Sequence, residues 1–188
     1  MLRDLAQGHH EAIEGVLAAH EADWLAEGKQ LAATLKKNGK VLFAGNGGSA
    51  CDAMHIAGEF VGRFIHDRPA LAAIALTADS GILTAVANDY GYDQVFSRQV
   101  EALGHAGDLL IGLSTSGKSP NILKAFDAAG AKGLRTVLLT GEKGRDVPVA
   151  LDKKIVVPSL ITAHIQAAHM FLLHSLANIV EAELNYPS

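Results

Sequence analysis

His55 and Glu59 stand four residues apart, shortly after the glycine-rich stretch Gly45-Asn-Gly-Gly-Ser49. On a helix that spacing puts both side chains on one face. An imidazole beside a carboxylate can move protons, or offer one nitrogen and one oxygen to a cation. The glycines suit a different task. Gly45, Gly47 and Gly48 carry no Cβ, so the backbone can turn sharply and come close to a ligand. Ser49 follows where a helix would begin, with free N–H groups and the positive dipole end facing an anion. Together these describe a site for a small charged molecule. The spacing matches neither G-x-G-x-x-G nor the P-loop, which disfavours a dinucleotide or ATP. A His/Glu pair at this spacing is more often a solvated surface pair. Here, however, Ala53, Met54, Ile56, Ala57, Phe60 and Val61 surround it. Such a helix is expected to be largely buried, and buried charge needs a partner. Cys51, on the same stretch, reads as a small packing residue.

A second loop has a similar character. Ser114-Thr-Ser-Gly-Lys-Ser119 runs into Pro120, a residue favoured in a first helical turn. Its hydroxyls and backbone N–H groups could cradle a phosphate. Alone it would pass for an ordinary serine-rich turn, but two such loops in one chain point to a phosphorylated ligand.

The elements that must position these loops follow from the pattern. Residues 1–38 are helical throughout, with Leu5, Ile13, Leu17, Leu31 and Leu35 recurring and Asn38-Gly39 as a stop. These apolar positions are too many for one small sheet, so they are expected to form an arm for subunit packing. Apolar strands are expected at residues 40–44, 70–76, 108–113, 135–140 and 154–157. The His55/Glu59 helix should reach about residue 64, with Arg68-Pro69 as a break. A short helix over 79–86 has Asp79 as its cap, and residues 88–92, with Asn88 and Asp89, read as a polar loop. Helices over 94–103, 121–131 and 161–184 complete the chain, the last carrying Gln166, His169 and His174. Strands that alternate with helices and are continuously apolar predict an α/β fold with a five-stranded parallel sheet covered on both faces. In such a doubly wound sheet, ligands bind outside the carboxyl ends of the strands, where both loops lie.

Size and composition agree with this reading. A chain of 188 residues suits one domain, with an arm over 1–38 and a core over 39–188. The net charge of −4, with no basic cluster, argues against nucleic acid or an anionic membrane as a partner. One cysteine allows no internal disulfide, which fits a reducing cytoplasm. The start shows no signal-peptide pattern, and no run approaches the roughly 18 apolar residues of a membrane span.

Taken together, Gly45-Asn-Gly-Gly-Ser-Ala-Cys-Asp-Ala-Met-His-Ile-Ala-Gly-Glu59, Asn88-Asp89 and Ser114-Thr-Ser-Gly-Lys-Ser119 resemble the phosphoheptose isomerase family of sugar isomerase (SIS) domains. The resemblance covers nearly the whole chain from about residue 38. It implies conversion of sedoheptulose 7-phosphate to D-glycero-D-manno-heptose 7-phosphate, the entry to bacterial heptose for surface polysaccharides such as lipopolysaccharide. It also implies a zinc-binding homotetramer. By position, the zinc ligands resemble His55, Glu59, Gln166 and His174. The substrate set resembles Asn46, Gly47, Gly48, Ser49, Asn88, Asp89, Ser114, Thr115, Ser116 and Ser119, with Glu59 and Gln166 also facing substrate. Glu59 and His174 resemble the acid/base pair. One segment departs: Ala167 follows Gln166 where the family often has glutamate, which bears on substrate preference more than on chemistry. A relative in the same family is a non-catalytic adaptor that binds the replication initiator, and other members isomerise other sugar phosphates. An adaptor has no need of His55, Glu59, Gln166 and His174 together, and this chain keeps all four.

Ketose–aldose isomerisation moves a proton between C1 and C2 through an enediol, so it needs a base at carbon and an acid at oxygen. Glu59 is assigned as the base and His174 as the acid; sequence alone also permits the reverse. Gln166 and His174 are eight residues apart, a helical rise of roughly 12 Å, so one straight helix cannot bring both to one ion. Either that helix bends or starts late, or one of the two side chains reaches the site from a neighbouring subunit. The expected assembly is a tetramer with its sites at subunit interfaces.

Overall fold

The computed structural model describes residues 1–186, so the last two residues of the expected core lie outside the described residues. In chain order the elements are α1 (Leu2–Lys36), β1 (Val41–Gly45), α2 (Gly48–Val61), β2 (Ala73–Ala75), α3 (Ser80–Tyr90), α4 (Ser97–Leu103), β3 (Leu109–Ser114), α5 (Pro120–Ala131), β4 (Arg135–Gly141), β5 (Lys153–Val157) and α6 (Thr162–Glu183). The five strands form one parallel sheet in the order β2-β1-β3-β4-β5. The fold is the expected single α/β domain, and the order reverses between β1 and β3. That reversal opens a crevice at the carboxyl ends of two neighbouring strands.

Alternation along the strands explains why both faces are covered. Val41, Phe43, Ile111, Val137, Leu139, Ile155 and Val157 point to one side, where they meet Trp24, Leu31, Ile56, Phe60, Leu172 and Leu176 of α1, α2 and α6. Leu42, Ala44, Leu110 and Leu138 point to the other side, against Phe96, Val100, Ile122 and Phe126 around α4 and α5. Period-two alternation between two apolar layers reads in sequence as an unbroken apolar run.

Several expectations need correction. The strand placed over 70–76 shrinks to Ala73–Ala75 at the sheet edge and is only half-buried. The N-terminal helix is not wholly an arm for other subunits. From Ala12 onward it packs on its own chain, with Ala12, Val16, Trp24, Gly28, Leu31 and Ala32 buried, and Trp24 Nε1 donates to the Leu172 carbonyl of α6 at 3.0 Å. Leu5 near its start stays exposed. Asp79 does cap α3, accepting from the Ile82 amide at 2.9 Å. That helix runs on to Tyr90, so Asn88 and Asp89 belong to its last turn and not to a loop. The helix expected over 94–103 divides into a 3₁₀ turn at Tyr92–Gln94 and α4. α2 stops at Val61, because Gly62 ends it with an amide bonded to the Gly58 carbonyl at 2.8 Å.

Candidate active site

β1 ends in the glycine turn and β3 ends in the serine loop, and the two strands are neighbours in the sheet, with Gly45 opposite Leu113. The loops therefore meet at the reversal point. Gly47 takes φ +58°, a conformation open to glycine and strained for side chains. A Cβ on Gly48 would sit 2.6 Å from the Gln166 amide nitrogen, so α6 approaches the turn as closely as it does only because no side chain stands there.

Side chains stitch the two loops together. Asn46 and Asn121 exchange hydrogen bonds at 2.9 Å in both directions, and Tyr92 Oη donates to Asn46 Oδ1 at 3.0 Å. Asn121 lies buried in the first turn of α5. Neither Asn121 nor Tyr92 was among the expected site residues. Their partners lie 75 and 46 positions away in the chain, and no local pattern announces them. Across the second loop, Ser114 Oγ and Ser119 Oγ lie 3.0 Å apart, while Ser116 Oγ accepts from the Lys118 amide at 3.2 Å. Thr115 and Ser116 are half-buried at the loop's crest. Ser49 is buried at the start of α2 and its Oγ faces Gln166 Nε2 at 3.5 Å.

The histidine and carboxylate cluster lies further along α2, against α6. His55 Nε2 is 2.9 Å from His174 Nε2 and 3.6 Å from Glu59 Oε1. Phe64 stacks on the His174 ring at 5.4 Å between centroids. Burial and the His55 imidazole lower the pKa of His174, with Glu59 pulling the other way. Asp52, one turn before His55 on α2, is half-buried with a carboxylate oxygen that has no partner among the described residues. Burial raises its pKa and His55 partly offsets this. Its only signal in the sequence was the three- and seven-residue spacing to His55 and Glu59.

The structure thus brings together His55, Glu59 and His174, and separately Gln166 with Gly48 and Ser49. α6 is helical without interruption from Thr162 to Glu183, which removes the option of a late start near Gln166. Gln166 and His174 face different levels of α2 in the same chain. Among the described residues no three His, Cys, Asp or Glu side chains close around one point as a bound ion requires; the nearest approach is the His55–His174 pair with Glu59 beside His55. Asn88 and Asp89 are exposed, and Asn88 Nδ2 donates to Asp89 Oδ1 at 2.8 Å.

α2 is also less buried than expected. Cys51, Met54, His55, Gly58 and Val61 recur at helical spacing on an exposed face. Cys51 is therefore an exposed thiol and not a packing residue. Apolar neighbours in sequence did not mean burial within one chain.

His169, between Gln166 and His174 on α6, is fully buried and neither ring nitrogen has a well-formed hydrogen bond among the described residues. Burial pushes its pKa down to about 4, offset only in part by the backbone of Thr140. The unfolded chain therefore binds a proton between pH 6.5 and about 4 that the folded chain refuses. Stability from this residue is present above pH 6.5 and falls through that window by on the order of 3 kcal/mol. Denaturant titrations at pH 7 and pH 4.5 should show the loss in wild type and a smaller one in His169→Leu. Equal losses would exclude His169 as its source.

The parallel sheet, with a glycine turn and a serine loop meeting at its reversal point and His55, Glu59 and His174 further along the same helices, is the arrangement to set beside known proteins. Residues 7–141 match the SIS domain family, to which the chain belongs. Within that family it groups with the phosphoheptose isomerases. It is 58% identical to the phosphoheptose isomerase of Burkholderia pseudomallei over 149 residues, covering 79% of this chain and 76% of that one. The solved phosphoheptose isomerase of Neisseria gonorrhoeae aligns with TM-score 0.83 at 40% identity, over 96% of this chain and 95% of that one. That of Francisella tularensis aligns with TM-score 0.87 at 33% identity, over 96% of both chains.

Proposed function

We propose that this chain isomerises sedoheptulose 7-phosphate to D-glycero-D-manno-heptose 7-phosphate in the cytoplasm, feeding heptose to surface polysaccharide. The observation that carries the reading is the convergence of Glu59, His55 and His174 from two helices beside the paired loops at the β1/β3 crevice. The backbone N–H groups at the starts of α2 and α5, with the hydroxyls of Thr115, Ser116 and Ser119, hold the phosphate and so fix the far end of the sugar. The Asn46–Asn121–Tyr92 network holds the Asn46 amide in one orientation at the crevice. With the phosphate anchored, Glu59 takes a proton from C1 of the ketose as the C2 oxygen gains one from His174. The enediol then loses its C1 hydroxyl proton as C2 is protonated, and the aldose results.

Zinc is part of this proposal. The donor types are those zinc takes, two imidazole nitrogens and a carboxylate oxygen, and within one chain they approach each other pairwise, His55 with His174 and His55 with Glu59. His55, Glu59 and His174 would hold it, with Gln166 supplied by a second copy of the chain in a tetramer. When bound, zinc would polarise the substrate carbonyl and stabilise negative charge on oxygen.

A coupled assay with purified protein and sedoheptulose 7-phosphate tests the reading directly; no turnover of that sugar, with turnover of another sugar phosphate, would reassign the substrate. Exhaustive chelation is expected to abolish turnover, and added zinc to restore it. Full activity after chelation would leave Glu59 as a metal-free base.

A further inference from the structure

The segment between α2 and β2 has no regular secondary structure, yet a buried charge organises it. Glu181 of α6 has a side chain only 1% exposed, as does Arg68, and their Oε1–Nε distance is 2.7 Å. Three successive amides of the segment also point at this carboxylate: Phe64 at 3.1 Å, Ile65 at 3.1 Å and His66 at 3.2 Å. Successive N–H groups converging on one anion form a nest, which fixes backbone that has no ladder to hold it. Arg68 also bonds the end of α2, and Nη1 reaches the Pro69 carbonyl at 3.2 Å as well. Nη2 donates to the Glu59 carbonyl at 2.7 Å and Nη1 to the Phe60 carbonyl at 2.8 Å. Those carbonyls belong to the last turn, which has no intrahelical partners for them. Burial pushes the Glu181 carboxyl up, but the bonds from Arg68 and the three amides outweigh it and hold the pKa below its ordinary value.

Both consequences reach the proton-transfer pair. Phe64, placed by its amide on Glu181, stacks on the His174 ring with 25° between planes. Glu181 and His174 lie seven residues apart on α6, hence on one face. Arg68, placed by the same carboxylate, grips the turn of α2 that carries Glu59. We propose that Glu181, acting through Phe64 and Arg68, is a positioning residue that sets the His174 ring and the Glu59 turn in register for proton transfer. The proposal rests on the reading of Glu59 and His174 as the acid/base pair. Neither Glu181 nor Arg68 touches that pair with its side chain, apart from the Arg68 bond to the Glu59 backbone.

The test separates placement from folding. Glu181→Gln leaves Arg68 unpaired in the interior and risks the fold, so Phe64→Leu, which keeps the buried ion pair, is the principal variant. With sedoheptulose 7-phosphate, Phe64→Leu is expected to lower kcat about tenfold with KM within about twofold, because a small misplacement of a catalytic group is costly. Phe64→Tyr, which keeps a ring on His174, restores kcat. In parallel, the His174 Cε1–H resonance should lose its upfield ring-current shift in Phe64→Leu and in Glu181→Gln, and keep it in Phe64→Tyr. Wild-type kcat in Phe64→Leu, or an unmoved resonance in folded Glu181→Gln, overturns the proposal. If wild type turns over no sedoheptulose 7-phosphate, the functional reading falls, and the resonance still decides whether Glu181 places Phe64 on His174.

Discussion

Replacing Glu59 by glutamine is expected to lower kcat by about 10³-fold, inside the 10²–10⁴ range typical of a lost general base, while the protein stays folded. The fold is spared for a physical reason. The Glu59 side chain is about one-quarter exposed, and among the described residues its one ion-pair contact is His55 at 3.6 Å. Glutamine has the same shape, so the change strands no buried charge. The Glu59 backbone carbonyl, which Arg68 uses, is untouched. KM should change little, because in the proposed mechanism the loops and not this residue hold the phosphate. Zinc content measured beside kcat separates two roles: a variant that keeps its metal and loses turnover has lost the base. A folded variant with near-wild-type kcat would move the base to His174.

What the sequence revealed and what it hid divide along chain distance. The glycine turn, the helix after it and the His55/Glu59 spacing are local. Four residues on a helix fix a face whatever else the chain does, and β1 and β3 read as strands because both faces of each are apolar. The Asn46–Asn121 pair and the Glu181–Arg68 pair span 75 and 113 positions, and nothing in either neighbourhood marks them. Arg68-Pro69 read as a break for that reason, although its guanidinium is among the most buried charges in the molecule. Asn88 and Asp89 looked like loop because both are weak helix formers. The Asp79 cap and the half-buried Leu83, Val86 and Ala87 carry the helix through them. The α2 face shows the limit of periodicity. Apolar spacing says that a face needs covering, but not whether its own chain covers it.

That uncovered face makes the second large effect a matter of assembly. Met54 is 41% exposed, Val61 50% and, just beyond the helix, Ile65 53%, with Cys51 and Gly58 in the same row and His55 among them. Apolar surface beside a reactive group is where a second copy would pack. The ligand geometry points the same way. Gln166 reaches Ser49 and His174 reaches His55, and the eight residues between them are a helical rise of roughly 12 Å, so the zinc site proposed above would draw one of the two from a second copy. Val61→Glu places a charge in this row without altering any residue assigned to chemistry, and the exposed position tolerates it in the isolated chain. Sedimentation should then show a folded monomer whose melting temperature lies within a few degrees of that of an isolated wild-type chain. Its kcat/KM should fall by about 10²-fold or more, because in the proposed assembly removing the partner costs a metal ligand and the closed surroundings of the proposed acid/base pair. Zinc affinity should fall with it, which a simple loss of substrate binding would not cause. An active monomer would place the whole site within one chain, and an unchanged oligomer with unchanged activity would put the interface on another face.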